Sequence, residues 1–395
     1  MNRRRVLQLL AATVGTTGLT AACGTGTDDD TAAAGSPIKI GLIAPRTGGY
    51  KPIGDELLNG FQLFLDLNDQ HLGNRPVTLL TADEGENATT GKAAVDNLLQ
   101  QGALALTGVV NSSVMVGIRD AVEQARVPLV GSDASPATLQ SVVYIWRTSY
   151  VLDEPGRALG RYLKQQMPAR SRVVIVAPEN VGSLDVVKGF TQEFGASDPR
   201  LVGEPIWTRF STDPDGGFFA ADIGKALARD PDAIFCFYAG SAAVQFIRQL
   251  RGAGYRGPVY APGFLTEGSV LSEIKPAEAA NIMTSLNYSA DLNNAANRRF
   301  AAAYRKKHNA SPTTYAMASY DAAQVLDKAI RLAGPDANSQ QVNLALGKVG
   351  QIDSPRGSWQ FNQPRTPQQR WYLRRVQLDG QVLANMLVSE LATLG

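Results

Sequence analysis

From residue 37 onward, short apolar runs alternate with segments of helical periodicity, and this alternation constrains the fold more than any other feature. Ile38–Ala44 is the first such run, and the apolar residues between Leu57 and Leu65 that follow it recur every three or four positions. Because strands that alternate with helices pair in parallel through right-handed crossovers, the pattern predicts an α/β fold with helices on both faces of each sheet. Further strands are predicted at 77–81, 104–110, 127–130, 173–177, 206–207, 233–238, 259–261 and 281–285.

The alternation forms two consecutive blocks of roughly 110 residues each, a common size for a domain. The first block ends near Trp146–Thr148. After the second block come two long helical stretches, 295–307 and 317–332, and two strands flanking Asp379-Gly380, a dipeptide typical of a β-hairpin. A chain of 395 residues also exceeds what one core usually supports, because single cores stop growing near ~250–300 residues. The sequence therefore predicts two lobes.

The N-terminus, residues 1–22, has the pattern of a secretory signal. Arg3–Arg5 precede the apolar run Val6–Leu19, which is shorter than the ~20 residues that a membrane span needs. Cys23 follows small residues as in a bacterial lipobox, where the signal is cleaved and the cysteine is acylated. Residues 23–36 contain no large apolar side chain, which favours a flexible tether. We expect lipidation of Cys23; the alternative is an ordinary secretory signal with an incidental cysteine.

Charge balance and the scarcity of histidine and cysteine exclude several classes of protein. The chain has 38 Lys and Arg against 36 Asp and Glu, and removing the three arginines of the signal leaves 35 basic and 36 acidic residues. This balance is unlike the strongly basic face of a nucleic-acid-binding protein. Two His and two Cys are too few for a zinc cluster, so neither a metal nor a cofactor is expected. Cys236, in an apolar run, is expected in the core rather than as a nucleophile.

Motifs typical of enzymes are missing from the sequence. No G-x-S-x-G, H-E-x-x-H or G-x-G-x-x-G occurs. The segment Gly85–Ala93 resembles a P-loop only superficially, because its glycine spacing is one residue too long and Ala93 stands where a Ser or Thr is required. We therefore expect a protein that binds and releases a molecule without transforming it.

Three loops that follow strands of the first block are candidates for a binding site. Open parallel sheets bind ligands at the carboxyl ends of their strands, near the point where the strand order reverses. Arg46–Tyr50 follows the first strand, Asn111–Ser113 follows the third, and Ser132–Ser135 follows the fourth. Small residues, hydroxyls and free backbone N–H groups at a helix N-terminus bind anions, although Ser and Asp are also ordinary N-caps. Two hydroxyl-rich loops on neighbouring strands favour a cleft that binds a carboxylate.

The chain resembles the type I periplasmic binding proteins, in particular the branched-chain amino-acid and amide group that supplies ABC transporters. The resemblance covers residues 37–390, and its motifs are specific through their order and spacing. The residues that carry it are Pro45–Gly48, Gly54, Asn59-Gly60, Thr107–Ser113, Val127–Val130, Ser132–Ser135, Trp146–Thr148, Tyr255–Pro258, Phe300, Tyr304, Pro312, Ser319–Ala323, Gly357–Phe361 and Val376–Gly380.

The resemblance implies two Rossmann-like lobes, each a parallel sheet flanked by helices, joined by a three-segment hinge. The crossovers are then expected near Arg147–Ser149, Tyr260–Gly263 and Asp353–Gly357. The expected division of the chain is lobe 1 at 37–147 plus 262–354, and lobe 2 at 148–261 plus 355–395.

The resemblance also implies where a ligand carboxylate is held. The matching positions are Ser112 or Ser113, and Ala134 with Ser135. The family's partners for an ammonium group are not matched: the corresponding positions fall near Val181, near Ser241 after Tyr238, and on Gly263 or Phe264. Because a desolvated ammonium needs a carboxylate or several acceptors, an apolar or aromatic acid is the more plausible ligand. The full set of expected ligand-binding residues is Arg46, Tyr50, Ser112, Ser113, Asp133, Ala134, Ser135, Val181, Tyr238, Ser241 and Phe264.

The function implied is that of an exported solute-binding lipoprotein of an ABC importer. The expected partners are a small carboxylate (an amino acid, an amide or an aromatic or aliphatic acid) and a membrane permease, with no nucleic acid, and the protein is expected to be a monomer. The lipid on Cys23 would hold it to the outer face of the cell membrane. The alternative is a ligand-sensing receptor subunit of the same fold at the cell surface.

Overall fold

The computed structural model describes residues 36–139, 141–211, 213, 215 and 217–395. The predicted signal, Cys23 and the tether as far as residue 35 lie outside the described residues. The remainder folds around two α/β sheets, so the predicted fold class is confirmed. Within the described ranges, no helix has both the length and the apolar character required to cross a membrane.

The first sheet contains six strands in the order β2-β3-β1-β4-β5-β6. All neighbours pair in parallel except the short β2, which is antiparallel to β3. The strands are β1 Ile38–Ala44, β2 His71–Leu72, β3 Arg75–Asp83, β4 Ala105–Gly108, β5 Leu129–Gly131 and β6 Ile145–Arg147, and the intervening helices are α1 Lys51–Leu67, α2 Ala88–Gln100 and α3 Ser112–Ala125.

The second sheet contains seven strands in the order β13-β12-β11-β10-β9-β7-β8. β7 to β11 pair in parallel, whereas β12 and β13 form an antiparallel hairpin at the edge, so this sheet is mixed rather than purely parallel. The elements in chain order are α4 Glu154–Gln166, β7 Val173–Pro178, α5 Val181–Phe194, β8 Ile206–Thr208, α6 Ala220–Leu227, β9 Ala233–Cys236, α7 Gly240–Gly252, β10 Val259–Pro262, α8 Val270–Glu273, α9 Pro276–Ala279, β11 Ile282–Leu286, α10 Ala295–His308, α11 Thr314–Ala333, α12 Ser339–Leu346, β12 Gln369–Asp379 and β13 Val382–Leu394.

Central strands of both sheets are covered by helices on both faces. Every residue of β4 and of β7 is buried, which is why these segments are continuous apolar runs rather than alternating ones. Helix α11 packs on the first sheet, where Leu326 and Ile330 share a core with Ile40. Cys236, at the end of β9, is fully buried as predicted, and burial raises the pKa of its thiol.

The chain passes between the lobes at places that differ in part from the expected crossovers. β11 pairs in register with β10, Val259 opposite Ile282, so the second passage follows Leu286 and the prediction of Tyr260–Gly263 is wrong. Trp359 lies in the core of the first lobe, so the third passage comes between it and Gln369, the first residue of β12, rather than at 353–357. Backbone pairing thus keeps β11 in the second lobe, and core packing keeps Trp359 in the first lobe.

Arg356 joins the first passage, at Thr148 and Ser149, to Gln369 at the end of the third. Its guanidinium is buried, donates to the carbonyls of Thr148 (2.6 Å) and Ser149 (3.2 Å), and forms an ion pair of 3.0 Å with Asp321. It also donates to Oε1 of Gln369 (2.7 Å). Ser354 Oγ (2.7 Å) and Trp359 Nε1 (3.0 Å) donate to the same Asp321 oxygen, Oδ2, that Arg356 contacts. The hinge is thus a fully buried polar network in which a carboxylate receives three donors.

Candidate ligand-binding site

A cavity of about 50 Å³ lies between the lobes, at the reversal points of both sheets. In the first sheet the strand order reverses between β1 and β4, and in the second between β7 and β9. The loops after these four strands supply Tyr50, Asn111, Asn180 and Ala239 to the cavity lining. Two facing sheets therefore place their carboxyl ends around one small cavity.

The loop between β4 and α3 is held in a strained shape by a buried carboxylate. Gly108 and Val109 both have positive φ, 102° and 69°, and the second value is unusual for a β-branched residue. Glu84 accepts hydrogen bonds from the backbone N–H of Val110 (2.7 Å) and of Asn111 (3.0 Å). Burial raises the pKa of the fully buried Glu84 to about 8, although these two donors act to lower it. Glu84 thus fixes the conformation of the loop through its backbone. Because both of its oxygens are used in this way, we assign it a structural role rather than a ligand-binding one.

Helix α3 starts at the cavity wall because of the sequence that follows this loop. Asn111 is its N-cap, and the Asn111 Oδ1 accepts a hydrogen bond from the N–H of Ser113 (2.9 Å). Ser112 and Ser113, both in the first turn, line the cavity. The positive end of the helix dipole is directed at the cavity from this side.

The loop after β5 is tied to the same strained segment. The N–H of Ser132 donates to the carbonyl of Gly108 (3.0 Å), and the N–H of Ala134 donates to that of Val109 (2.8 Å). Asp133, between them, is buried and lines the cavity together with Ala134. Its pKa is raised well above the usual value, first by burial and then by the nearby Glu84.

The second lobe presents another helix N-terminus to the cavity. Asn180 caps α5 by accepting a hydrogen bond from the N–H of Ser183 (2.9 Å). Gly182, in the first turn, faces the first lobe so closely that a Cβ built on it would stand 3.2 Å from Ser112 Oγ. The two lobes therefore approach each other closely at this side of the site.

Aromatic rings form most of the remaining wall. Phe264 is stacked on Tyr315, with centroids 5.9 Å apart and planes at 15°, and it meets Phe237 edge-on at 5.8 Å. Tyr50 of the first lobe meets Phe210 of the second at 6.3 Å. Three of these five rings, Phe210, Phe237 and Tyr315, were not predicted, because they meet only when the chain is folded. Phe237 was read as part of a strand, but β9 ends at Cys236, which frees the next side chain to face the cavity.

No Lys, Arg or His lines this cavity in the described part of the chain. The first turns of α3 and α5 and the N-cap of α7, Ala239, contribute to its lining, so backbone N–H groups and helix dipoles supply its positive potential. In the same described residues, no cluster of His, Cys, Asp and Glu is arranged to hold a metal ion. The arrangement suits a small anion with an apolar body.

Of the eleven predicted ligand-binding residues, six line the cavity: Tyr50, Ser112, Ser113, Asp133, Ala134 and Phe264.

The other five predicted residues do not line it, for identifiable reasons. The backbone N–H of Arg46 donates to Asp83 Oδ1 (3.0 Å), and its guanidinium lies 4.0 Å from Asp55. Ser135 is buried behind the loop, and its carbonyl accepts from Leu152 N–H (3.1 Å).

The remaining three of these residues belong to the second lobe. Val181 begins α5 beside the lining residues Asn180 and Gly182. Tyr238 lines a smaller adjoining cavity and hydrogen-bonds through its hydroxyl to Thr208 Oγ1 (3.0 Å). Ser241 Oγ donates to the carbonyl of Asp213 (2.8 Å). Lining residues outside the predicted set of eleven are Ile53, Val110, Asn111, Leu152, Asn180, Gly182, Phe210, Phe237, Ala239 and Tyr315, of which Asn111 lies in a loop that the sequence had indicated.

Residues 37–381 match the sequence model of a family described as periplasmic binding protein. The chain belongs to this family. Among curated proteins, the Leu/Ile/Val-binding protein BraC3 of Rhizobium johnstonii is 26% identical over 218 residues, which is 48% of this chain and 59% of that protein. The resemblance to type I periplasmic binding proteins of the branched-chain amino-acid group is thus confirmed.

Solved structures share the fold over most of the chain. A solute-binding protein of an ABC transporter from R. palustris, in complex with benzoate, is 26% identical and has a TM-score of 0.81, covering 90% of this chain and 97% of that one. The leucine-binding protein LivK of Thermotoga maritima is 20% identical with a TM-score of 0.79, covering 90% and 98%. At that identity the second likeness bears on fold alone.

Proposed function

We propose that this periplasmic binding protein is the solute-binding component of an ABC importer and that it encloses a small carboxylate with an apolar or aromatic body between its lobes. The observation that carries the proposal is a cavity between the lobes whose walls are aromatic rings and helix N-termini. Offset and edge-on rings provide apolar contact for a flat ligand. Converging backbone N–H groups receive a carboxylate without a cationic side chain.

Two similar proteins support this ligand class, one through a bound ligand and one through its described specificity. One similar solved structure contains benzoate, and a similar curated protein is described as binding Leu, Ile and Val. Each of these ligands is a carboxylate with an apolar body. For this chain, the aromatic lining favours an aromatic acid.

Delivery to a permease follows from the same proposal. The closed form buries the ligand between lobes, and the closed shape is what a membrane permease would recognise. Export and a lipid on Cys23 would keep the protein at the outer face of the membrane as a monomer, which fits the signal and tether in the sequence. Replacing Cys23 by Ala is expected to release the protein from the membrane fraction; a variant that stays attached contradicts the anchor.

Isothermal titration calorimetry on the purified protein without its first 35 residues tests the ligand class. The panel contains benzoate, its hydroxylated derivatives, leucine, isoleucine and valine. We expect heat of binding from an aromatic acid, and weaker or no binding from the three amino acids. Binding of leucine, isoleucine or valine alone contradicts the aromatic assignment, and binding of none of the carboxylates contradicts the proposed ligand class altogether.

A further inference from the structure

Asp133 is the one cavity-lining side chain in the described part of the chain that carries a carboxylate. Only 8% of the residue is exposed. Its carboxylate has no hydrogen-bond or ion-pair partner among the described residues, and the titratable groups that interact with it electrostatically are acidic or phenolic: Glu84, Tyr50, Tyr150 and Tyr315. A buried carboxyl group in this position is therefore left unsatisfied by the protein itself.

Leaving a buried carboxyl group without a donor is unfavourable, so its position in the wall of a cavity calls for a partner. Glu84, at similar depth, has its partners in two backbone N–H groups. Asp133 lies against the space that a ligand would occupy. The missing donor is thus expected on the ligand.

On the basis of the proposed function, we propose that Asp133 accepts a hydrogen bond from a donor group of the ligand, so that the natural ligand carries a hydroxyl or an ammonium group in addition to its carboxylate. The ligand carboxylate then lies at the helix N-termini and its donor lies at Asp133. A carboxyl group accepts a hydrogen bond through an oxygen whether or not it holds a proton, so this role does not depend on its ionisation.

The presence of Asp133 in the cavity weakens the earlier argument that the site has no partner for a ligand ammonium group. The positions near Val181, Ser241 and Gly263 indeed supply no carboxylate to the cavity. Asp133 supplies one from the opposite lobe. Both candidate ligand types carry a hydrogen-bond donor, which is a phenolic hydroxyl in one and an α-ammonium in the other. Experiment can distinguish these two donors.

Calorimetry with pairs of ligands that differ by one donor tests the proposal. The pairs are each of the three monohydroxybenzoates against benzoate, leucine against 4-methylpentanoate, and phenylalanine against 3-phenylpropanoate. A hydrogen bond to a charged or buried acceptor predicts that the best donor-bearing member binds about 10-fold to 100-fold more tightly than its partner. Equal affinities within every pair overturn the proposal, even when the acids bind.

Variants of Asp133 separate its role from a general effect on the site. Asp133→Ala is expected to abolish the preference for the donor-bearing ligand by weakening its binding about 10-fold or more, whereas its donor-less partner, which makes no hydrogen bond to Asp133, is expected to bind no more weakly than before. Asp133→Asn keeps an acceptor, so it retains part of a preference for a phenol but loses most of a preference for an ammonium. The control is Asp96→Ala, which removes a half-exposed carboxylate of α2 that pairs with Lys92.

Equal weakening of both members of a pair by Asp133→Ala overturns the proposal in favour of a structural role. Should Asp133→Ala fail to fold, as judged by its thermal transition, the Asp133→Asn variant is decisive: unchanged preferences for every donor would contradict the assigned role. Binding of no acid by the unaltered protein overturns the proposed function and this proposal together, whereas binding without donor preference overturns this proposal alone.

Discussion

The hinge and the cavity each contain a deeply buried aspartate, and the two differ in their partners. Asp321 receives donors from Arg356, Ser354 and Trp359. Asp133 has none within the described residues, although it is only 8% exposed. The comparison indicates that the hinge carboxylate is paired with donors of the protein itself, whereas the cavity carboxylate is left open to a donor from elsewhere.

The largest effect on stability is expected when the hinge ion pair between Arg356 and Asp321 is removed. Arg356→Ala leaves Asp321 buried without its cation and two carbonyls without their donor. Removing one partner of a buried ion pair lowers the free energy of unfolding by about 3–5 kcal/mol. Urea unfolding measures this value.

The control for that prediction is Arg299→Ala, because Arg299 pairs with Asp353 at the surface, with side chains 69% and 66% exposed. Exposed pairs contribute at most about 1 kcal/mol. A loss for Arg356→Ala no larger than that of the control contradicts the view that the hinge network stabilises the fold.

The same substitution at both aspartates sharpens the comparison. Asp321→Asn is expected to lower the free energy of unfolding by about 1.5–3 kcal/mol, because hydrogen bonds to a charged acceptor are weakened. Asp133→Asn is expected to leave the stability of the ligand-free protein unchanged or raise it, because no partner is lost. Urea unfolding of the two variants decides it; a comparable loss at both positions means that Asp133 has a structural partner after all.

Narrowing the cavity is expected to affect ligand binding more than stability. Gly182 faces Ser112 across the cleft, and a Cβ there would lie 3.2 Å from Ser112 Oγ. Gly182→Val should hinder closure and weaken binding of the best acid by roughly 10-fold or more, since about 1.4 kcal/mol of lost contact is tenfold. Gly224→Val in α6 is the control, as no atom lies within 4 Å of its Cβ position. Titration calorimetry that finds equal affinities for the two variants argues against closure over this cavity.

Glu84 is intermediate between the two aspartates, because it has two hydrogen-bond donors but no cationic partner. We expect the smallest effect on stability from its substitution. Its pKa is about 8 in the fold, against an ordinary value of 4.5. As the pH rises through this window, the unfolded chain loses its proton while the folded chain keeps it. The free energy of unfolding therefore falls with rising pH.

Glu56 and Glu154, whose pKa values burial also raises to about 8, add to this decline, so Glu84→Gln should make it shallower without removing it. Urea unfolding at pH 5 and pH 8 gives the comparison. An equally steep decline in the variant would show that Glu84 ionises normally in the fold.

The order of strands and helices could be predicted from the sequence because apolar runs and helical periodicity are local properties. The loops after β4 and β5 were located for the same reason, and they supply Ser112, Ser113, Asp133 and Ala134 to the cavity. Which side chain of a loop faces the cavity depends on backbone geometry, which the sequence does not reveal. For this reason Ser135 was included in the predicted site, although it is buried outside the cavity lining.

The passages between lobes and the opposite wall depend on long-range contacts that no local pattern encodes. β11 lies in the second sheet because of its register with β10, and Trp359 lies in the first lobe because of its core contacts. Phe210 and Tyr315 come from segments more than a hundred residues apart in sequence and meet at the cavity only in the folded chain.

A crystal structure of the protein with the acid that binds best in calorimetry tests the central claim most directly. We expect the acid between the lobes, with its apolar body against Phe264 and Tyr50 and its carboxylate at the first turn of α3. A hydroxyl or ammonium group of the acid should lie about 2.6–3.2 Å from an Asp133 carboxylate oxygen. An acid bound outside this cavity, or one bound inside it with no donor facing Asp133, would contradict the account.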